Sequence, residues 1–272
     1  MTQQIDDRWI RRFHPGAPGA LPLVFFPHAG GGASSALQLS KALTPSVEVL
    51  SLQYPGRQDR RTEGQIAGIH ELADELAGVL ADGLAPEAGT PYAFFGHSMG
   101  AILAFEVARR LEEAIGNGPG RLIVSARRAP SVPRHELHHL RDDAGLLSVI
   151  RGLSGTDQRV FEDEELLALA LPTIRGDYRA IETYVYRPTP GREFDLQVPV
   201  TVFTGTDDPE TAPVGTVAEW AHHTGAHTTH RSFPGGHFYL DGQVRAVARE
   251  ISAVVSGDRE AGTRAGATSG LT

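Results

Sequence analysis

Three side-chain types needed for nucleophilic acyl transfer stand far apart along this chain. The first is Ser98, in Gly96-His97-Ser98-Met99-Gly100. This matches G-x-S-x-G, and an apolar run precedes it while a helix-like run follows. On a strand–turn–helix that pattern makes a nucleophile elbow, in which the turn is too sharp for a side chain on either flanking residue. A serine hydroxyl is a weak nucleophile and needs a base. His237 supplies one in "FPGGHFYL", on a glycine turn after the last apolar strand pattern. The order expected along the chain is serine, acid, histidine, and "FTGTDDP" places Asp207 and Asp208 between the other two. Asp208, three residues past Gly205 and just before Pro209, is the favoured acid; Asp207 is the alternative, because sequence does not orient either side chain.

Attack on a carbonyl builds an oxyanion, which needs N–H donors. "FFPHAGGG" (25–32) ends a strand pattern in a glycine run whose backbone can turn N–H groups toward the nucleophile. Ala29 and Met99 are the expected backbone donors. A phosphate-cradling loop is the competing reading of these glycines, but no G-K-[ST] follows them. His28 is expected to shape the loop, since His237 fits the role of base.

These residues need a scaffold that brings four distant segments to one place. Short apolar runs at 21–26, 47–53, 91–96, 121–126, 198–205 and 227–233 predict strands. Helical spacing recurs between them, as in Ile66, Ile69, Leu72, Leu76, Val79 and Leu80, again over Ala101 to Leu111, and over Val244 to Val255. Strands alternating with helices predict an α/β fold with a mostly parallel sheet covered on both faces. Residues 131–190 break the rhythm with helical patterns and no strand, as an inserted helical lid would. The predicted organisation is an extension over 1–18, one domain over 19–257 and a small, polar, disordered tail over 258–272.

Composition sets outer limits. The 272 residues carry 25 Lys and Arg against 33 Asp and Glu, a net charge of −8, which argues against nucleic acid as a partner. There is no cysteine, hence no disulfide framework and no thiolate chemistry. No 18-residue apolar run predicts a membrane span, and the polar N-terminus lacks the apolar centre of a signal peptide. A cytoplasmic monomer is the default expectation. His135-Glu136-Leu137-His138-His139 spells H-E-x-x-H, but a zinc site would need these residues within a helix. The run follows Pro133 and stops at "RDDAG", so no metal is expected there. His222, His223, His227 and His230 are expected to be exposed.

Taken in order and spacing, "FFPHAGGG", "YPGRQDR", "GHSMGA", "SARRAP", "TGTDDP" and "GGHFYL" resemble the type II thioesterases of polyketide and nonribosomal peptide synthesis, from about residue 13 to 255. One departure is "SARRAP", where glycine is common at the second position. The resemblance implies an α/β-hydrolase fold, a triad of Ser98, Asp208 and His237, oxyanion amides at Ala29 and Met99, and no cofactor. It also implies an acyl substrate in thioester linkage to the phosphopantetheine arm of a carrier protein. Carrier proteins are usually acidic, so an acidic enzyme needs a local basic docking patch; Arg57, Arg60, Arg61, Arg127, Arg128 and Arg134 are the candidates. A small-molecule esterase or acyltransferase, and a non-catalytic carrier-binding module, are the rival readings. The intact set of Ser98, Asp208 and His237 counts against the last.

Overall fold

A computed structural model describes residues 7–83, 91–116, 118–133, 135–153, 164–212, 215 and 217–267, with no side chains described at 164–166 or beyond 257. The strands are β1 (Ile10–Arg11), β2 (Leu21–Phe26), β3 (Val47–Leu52), β4 (Ala93–His97), β5 (Arg121–Ser125), β6 (Val200–Gly205) and β7 (Thr228–Phe233). They form one sheet in the order β1-β3-β2-β4-β5-β6-β7. Every pairing is parallel except β1 with β3, which is antiparallel. The six runs read from sequence are β2 to β7. β1 has only two residues, too few to show a period.

Each central strand buries both faces, so successive residues feed two cores. In β4, Phe94 joins Val24, Leu50 and Val124 under the helices α2 (Ile69–Gly83) and α3 (Met99–Ile115). Ala93 and Phe95 point the other way, toward Phe25, Ile123 and Phe203. There they meet Leu39 and Leu43 of α1 (Leu37–Leu43) and Val247, Ile251 and Val255 of α7 (Val244–Ala267). The last three are spaced four apart, one stripe of a helix. Between β5 and β6 lie α4 (Asp143–Leu153) and α5 (Glu164–Glu182), and among the described residues of this segment there is no strand of the sheet. The four-residue helix α6 (Tyr239–Gly242) precedes α7.

The helix α7 continues to Ala267, past the point where a disordered tail was expected. The packed stretch up to Val255 nucleates it, and adding turns to a formed helix is far easier than starting one; the stretch beyond carries Ala, Glu and Arg, all good helix formers. Residues 268–272 lie outside the described residues.

Parallel pairing aligns the carboxyl ends of the strands. Phe26 stands opposite Gly96, Gly96 opposite Val124, His97 opposite Ser125, and Gly205 opposite Phe233. The loops after β2, β4, β5, β6 and β7 therefore open on one edge, where ligands of such sheets bind. Phe95 is central to holding that edge: it is fully buried, stacked on Phe25 at 5.5 Å between ring centroids and edge-on to Phe203 at 6.3 Å. Truncation leaves a cavity that its neighbours cannot fill, so Phe95→Ala is expected to lower unfolding free energy by about 3–5 kcal/mol in urea titration.

Candidate active site

The connection from β4 to α3 is a steric device. A Cβ on Gly96 would lie 2.2 Å from the Gly100 carbonyl oxygen, and one on Gly100 would lie 2.0 Å from that of Phe26. Only glycine fits at either place. Between them Ser98 takes φ 55° and ψ −117°, a conformation that non-glycine residues avoid and that persists only where the surroundings enforce it. The Ser98 N–H donates to the Ser125 carbonyl at 2.8 Å, which ties the turn to β5.

His237 bridges the other two residues. Its Nε2 lies 2.9 Å from Ser98 Oγ, and its Nδ1 lies 3.1 Å from both carboxylate oxygens of Asp208. A carboxylate only accepts, so Nδ1 carries the proton and Nε2 is left to accept from the serine hydroxyl. The Glu210 N–H and the Thr211 hydroxyl also donate to Asp208, at 3.0 and 3.3 Å, and hold the carboxylate in plane. Asp208 is fully buried; Asp207 is exposed, and its N–H bonds to the Gly235 carbonyl instead. The geometry thus selects between the two candidate acids. The acid and base loops are in tight contact: a Cβ on Gly205 would meet the carbonyl oxygens of Gly236 and Gly235 at 2.3 and 2.5 Å.

Ala29 lies in the loop after β2, and Met99 is the first residue of α3. Among the described residues neither N–H has an acceptor, as befits donors kept for a ligand. The near-contact of Gly100 with Phe26 sets this loop against the elbow. Besides a local bond from the Gly31 N–H to the His28 carbonyl at 2.9 Å, two hydrogen bonds to distant residues shape it. The Gly30 N–H donates to Asp177 Oδ2 at 2.7 Å, and Arg57 Nη1 donates to the Gly31 carbonyl at 2.9 Å. Arg57 and Asp177 also pair fork to fork, both at 2.9 Å, with side chains 6% and 7% exposed. Burial pushes the Asp177 carboxyl up, and the Arg57 guanidinium and Gly30 N–H oppose that.

Two further imidazoles surround the base. His28 packs edge-on to Phe238 and His97, and the His97 ring lies 5.5 Å from that of His237. Burial, then the neighbouring His237, holds His97 well below the ordinary range and lowers His28 to about 4. Both stay neutral near pH 7, so neither places a positive charge beside His237. His97 Nδ1 is anchored on Ser125 Oγ at 2.8 Å, which in turn contacts the Tyr239 hydroxyl at 2.6 Å.

The arginines proposed as one docking patch do not form one. Arg57 is buried in its Asp177 pair. Arg60 is buried against the Trp9 ring and bonded to Glu63 and the Gln53 carbonyl. Arg127 is buried, and Arg128 pairs with Glu136 and Glu210. Arg61 is exposed, and Arg134 lies outside the described residues. Basic spacing in sequence does not reveal burial: Arg57 and Arg128 find the distant carboxylates of Asp177 and Glu210, while Arg60 is taken up by Glu63 and Gln53 close by in the chain. In the H-E-x-x-H run, residues 135–137 are not helical and His138–Leu140 form one 3-10 turn. Glu136 bonds to Arg128 and His139 to Glu182, which pulls the run apart as a ligand set.

His223, expected to be exposed, is instead 2% exposed and central to a second Ser–His–Asp chain. Its Nε2 lies 2.8 Å from Ser131 Oγ and its Nδ1 2.7 Å from Asp195 Oδ2. The N–H of the residue after Ser131, Val132, is used up on the Ala129 carbonyl at 3.1 Å, whereas that of Met99 after Ser98 has no acceptor among the described residues. Asp195 also accepts from Tyr186 and Thr189 and pairs with Arg109 at 3.4 Å, so this chain ties several segments together.

The thioesterase domain family matches residues 21–255. "Thioesterase PikA5" of Streptomyces venezuelae is 49% identical over 250 residues, covering 90% of this chain and 84% of its own. "Probable cadicidin biosynthesis thioesterase" of Streptomyces griseus is 47% identical over 254 residues, with 93% and 68% covered. Among solved structures, the type II thioesterase BorB of the borrelidin biosynthetic cluster superposes with a TM-score of 0.81 at 47% identity, covering 91% of this chain and 97% of that one. YbtT, a type II thioesterase of a yersiniabactin pathway, gives 0.78 at 30% identity, with 89% and 96% covered.

Two outcomes are expected from this geometry. Asp208→Asn removes the acceptor that sets the His237 tautomer and should lower kcat by about 10⁴-fold, while Asp207→Asn stays within about twofold; steady-state turnover of an acyl thioester separates them. His28 and His97 refuse protons in the folded state that an unfolded chain takes up near pH 6.5. Their contribution to stability is therefore complete above about 6.5 and is lost as pH falls toward 4, where His28 itself titrates. The urea midpoint should fall across that window, and His28→Gln should flatten part of the fall.

Proposed function

The chain belongs to the thioesterase domain family, and from there we propose that it cleaves acyl thioesters through a Ser98 acyl-enzyme, taking its substrates in trans from the phosphopantetheine arm of a carrier protein. Relatives named as thioesterases, two of them of the cadicidin and borrelidin biosyntheses and one, YbtT, of an NRPS/PKS pathway, support placing it as a hydrolase in polyketide or nonribosomal peptide biosynthesis. The observation that carries the acyl-enzyme reading is the unbroken Ser98–His237–Asp208 chain, built on an elbow whose next amide, Met99, has no acceptor among the described residues.

The steps follow from that arrangement. Ser98 Oγ attacks the thioester carbonyl carbon as its proton passes to His237 Nε2. The imidazolium is held by Asp208, and the oxyanion by the N–H groups of Ala29 and Met99, each such donor being worth on the order of 10²–10³ in kcat. The C–S bond then breaks, and the leaving sulfur takes the proton from His237. Water gives its proton to the same nitrogen as it attacks the acyl carbon; the bond from that carbon to Ser98 Oγ then breaks, the proton passes from His237 to Ser98 Oγ, and the acid is released. A thiolate leaves readily, so little recognition of the acyl chain is needed. That supports an editing role, in which stalled or wrongly primed carriers are cleared.

Mass spectrometry of an acyl-loaded carrier protein tests this directly. The enzyme should strip the acyl group, and Ser98→Ala should slow release by on the order of 10⁴-fold or more. Equal rates for both would remove Ser98 from the mechanism. A carrier that binds but keeps its acyl group would mark a binding module. An oxygen ester cleaved faster than its thioester would mark an esterase.

A further inference from the structure

The loop that carries Ala29 has one local tie, from the Gly31 N–H to the His28 carbonyl at 2.9 Å, and is otherwise held by distant segments. Gly30, at φ +77°, leans on helix α5, where a Cβ would come 2.6 Å from Ile174 Cγ1. Its N–H ends on Asp177 of the same helix, 147 residues away. Arg57, from the loop after β3, closes the arrangement. One Nη1 reaches both the Gly31 carbonyl and Asp177 Oδ2, and Nη2 reaches Asp177 Oδ1. The same helix is seated on the Arg57 loop by two more bonds, Thr173 Oγ1 to the Gly56 carbonyl at 2.8 Å and Gln65 Nε2 to the Thr173 carbonyl at 2.9 Å.

We propose that Arg57 and Asp177 are positioning residues for the oxyanion hole, clamping residues 30 and 31 between the helical insertion and the β3 loop so that the Ala29 N–H is aimed only while α5 is seated. The proposal rests on the reading of Ala29 as an oxyanion donor. Its physical basis is geometric. The bond at the Gly30 N–H fixes the peptide plane that follows Ala29, and the bond at the Gly31 C=O fixes the 31–32 plane beyond it. The pair is buried, so neither charge has water to fall back on, and loss of one partner frees the other to move. Misplacement of a catalytic donor by about 1 Å is enough to cost on the order of 10²-fold in rate. The pair touches no reacting atom. Its effect passes through the loop, and it should therefore be read in transition-state binding and not in ground-state binding.

Two variants keep the shape of the pair. Asp177→Asn retains an oxygen for Gly30 but loses the charge and the second acceptor for Arg57. Arg57→Lys retains charge but has no fork to span Gly31 and the carboxylate. A small acyl thioester gives kcat and KM per folded molecule, with the folded fraction taken from urea titration. An alkyl trifluoromethyl ketone, which Ser98 attacks to give a tetrahedral oxyanion, and the matching unreactive thioether report transition-state and ground-state affinity. We expect Asp177→Asn to lower kcat by about tenfold or more with KM within about threefold. Trifluoromethyl ketone affinity should fall by the same factor as kcat/KM, and thioether affinity should hold. Arg57→Lys should fall between the wild type and Asp177→Asn.

If either shape-conserving variant fails to fold, Gln65→Leu loosens the seat of α5 without touching the clamp, and should show a smaller fall in the same ratio. The proposal is overturned if kcat per folded molecule is unchanged, or if kcat falls while trifluoromethyl ketone affinity does not. It is equally overturned if the whole loss tracks the folded fraction. A wild type that forms no Ser98 adduct with the ketone would sink the acyl-enzyme reading itself, and this proposal with it. A wild-type adduct together with unaffected variants would sink the clamp alone.

Discussion

No side chain fits at Gly96 or Gly100, and most of the site follows from that exclusion. Because the backbone of α3 passes within contact of β4 and of the β2 loop, the chain must turn inside one residue, and Ser98 is that residue. Its backbone strain, of the order of 1–3 kcal/mol for such conformations, is held by a sheet and helix packed on both sides. The turn leaves the serine at the top of the sheet, with the first amides of a helix just behind it. Every other group then has to reach this fixed point: His237 and Asp208 from the loops after β7 and β6, and Ala29 from the loop after β2.

The two Ser–His–Asp chains show that hydrogen-bond order alone does not define a catalytic constellation. Distances around His223 are at least as short as those around His237. What differs is the surroundings. At Ser98 the following amide is left uncommitted by the start of a helix; at Ser131 it closes a turn. Asp208 spends its remaining capacity on its own loop, whereas Asp195 spends its on Tyr186, Thr189 and Arg109 and so joins three segments. On the proposed mechanism, the donors held in reserve are what set the nucleophilic serine apart from Ser131.

Local patterns in the sequence carried the elements with one or two cores to fill. The strand runs of β2 to β6 were legible because short stretches rich in apolar and β-branched residues between turn residues have few other uses, β7 because a β-branched, polar run continues the series, and Ser98 and His237 because each sits at a glycine turn. The acid was legible only to a pair, since Asp207 and Asp208 differ in orientation, not in type. What stayed hidden depends on partners distant in the chain. Arg57 reads as a surface cation until Asp177, 120 residues on, is placed beside it. His223 reads as one of a polar cluster until Asp195 and Ser131 enclose it. Ala126, at the position where glycine is common, adopts φ +52°. Left-handed strain of about 1–2 kcal/mol is opposed there by a buried methyl worth about 0.8 kcal/mol and by the lower unfolded-state entropy of alanine, about 0.5–1 kcal/mol. Effects of equal size and opposite sign explain why either residue serves.

The two-residue β1 has a consequence for how this molecule meets others. A parallel sheet with an open flank is a template for any passing extended chain. Here one flank is stopped by β1, which runs antiparallel across β3 and is too short to recruit a further strand. The other flank is β7, whose middle residues Thr229, His230 and Arg231 are polar, with Arg231 bound to Glu250. Strand addition is discouraged at both ends. Contact with another protein is thereby steered away from the sheet edges and toward the surfaces of loops and helices.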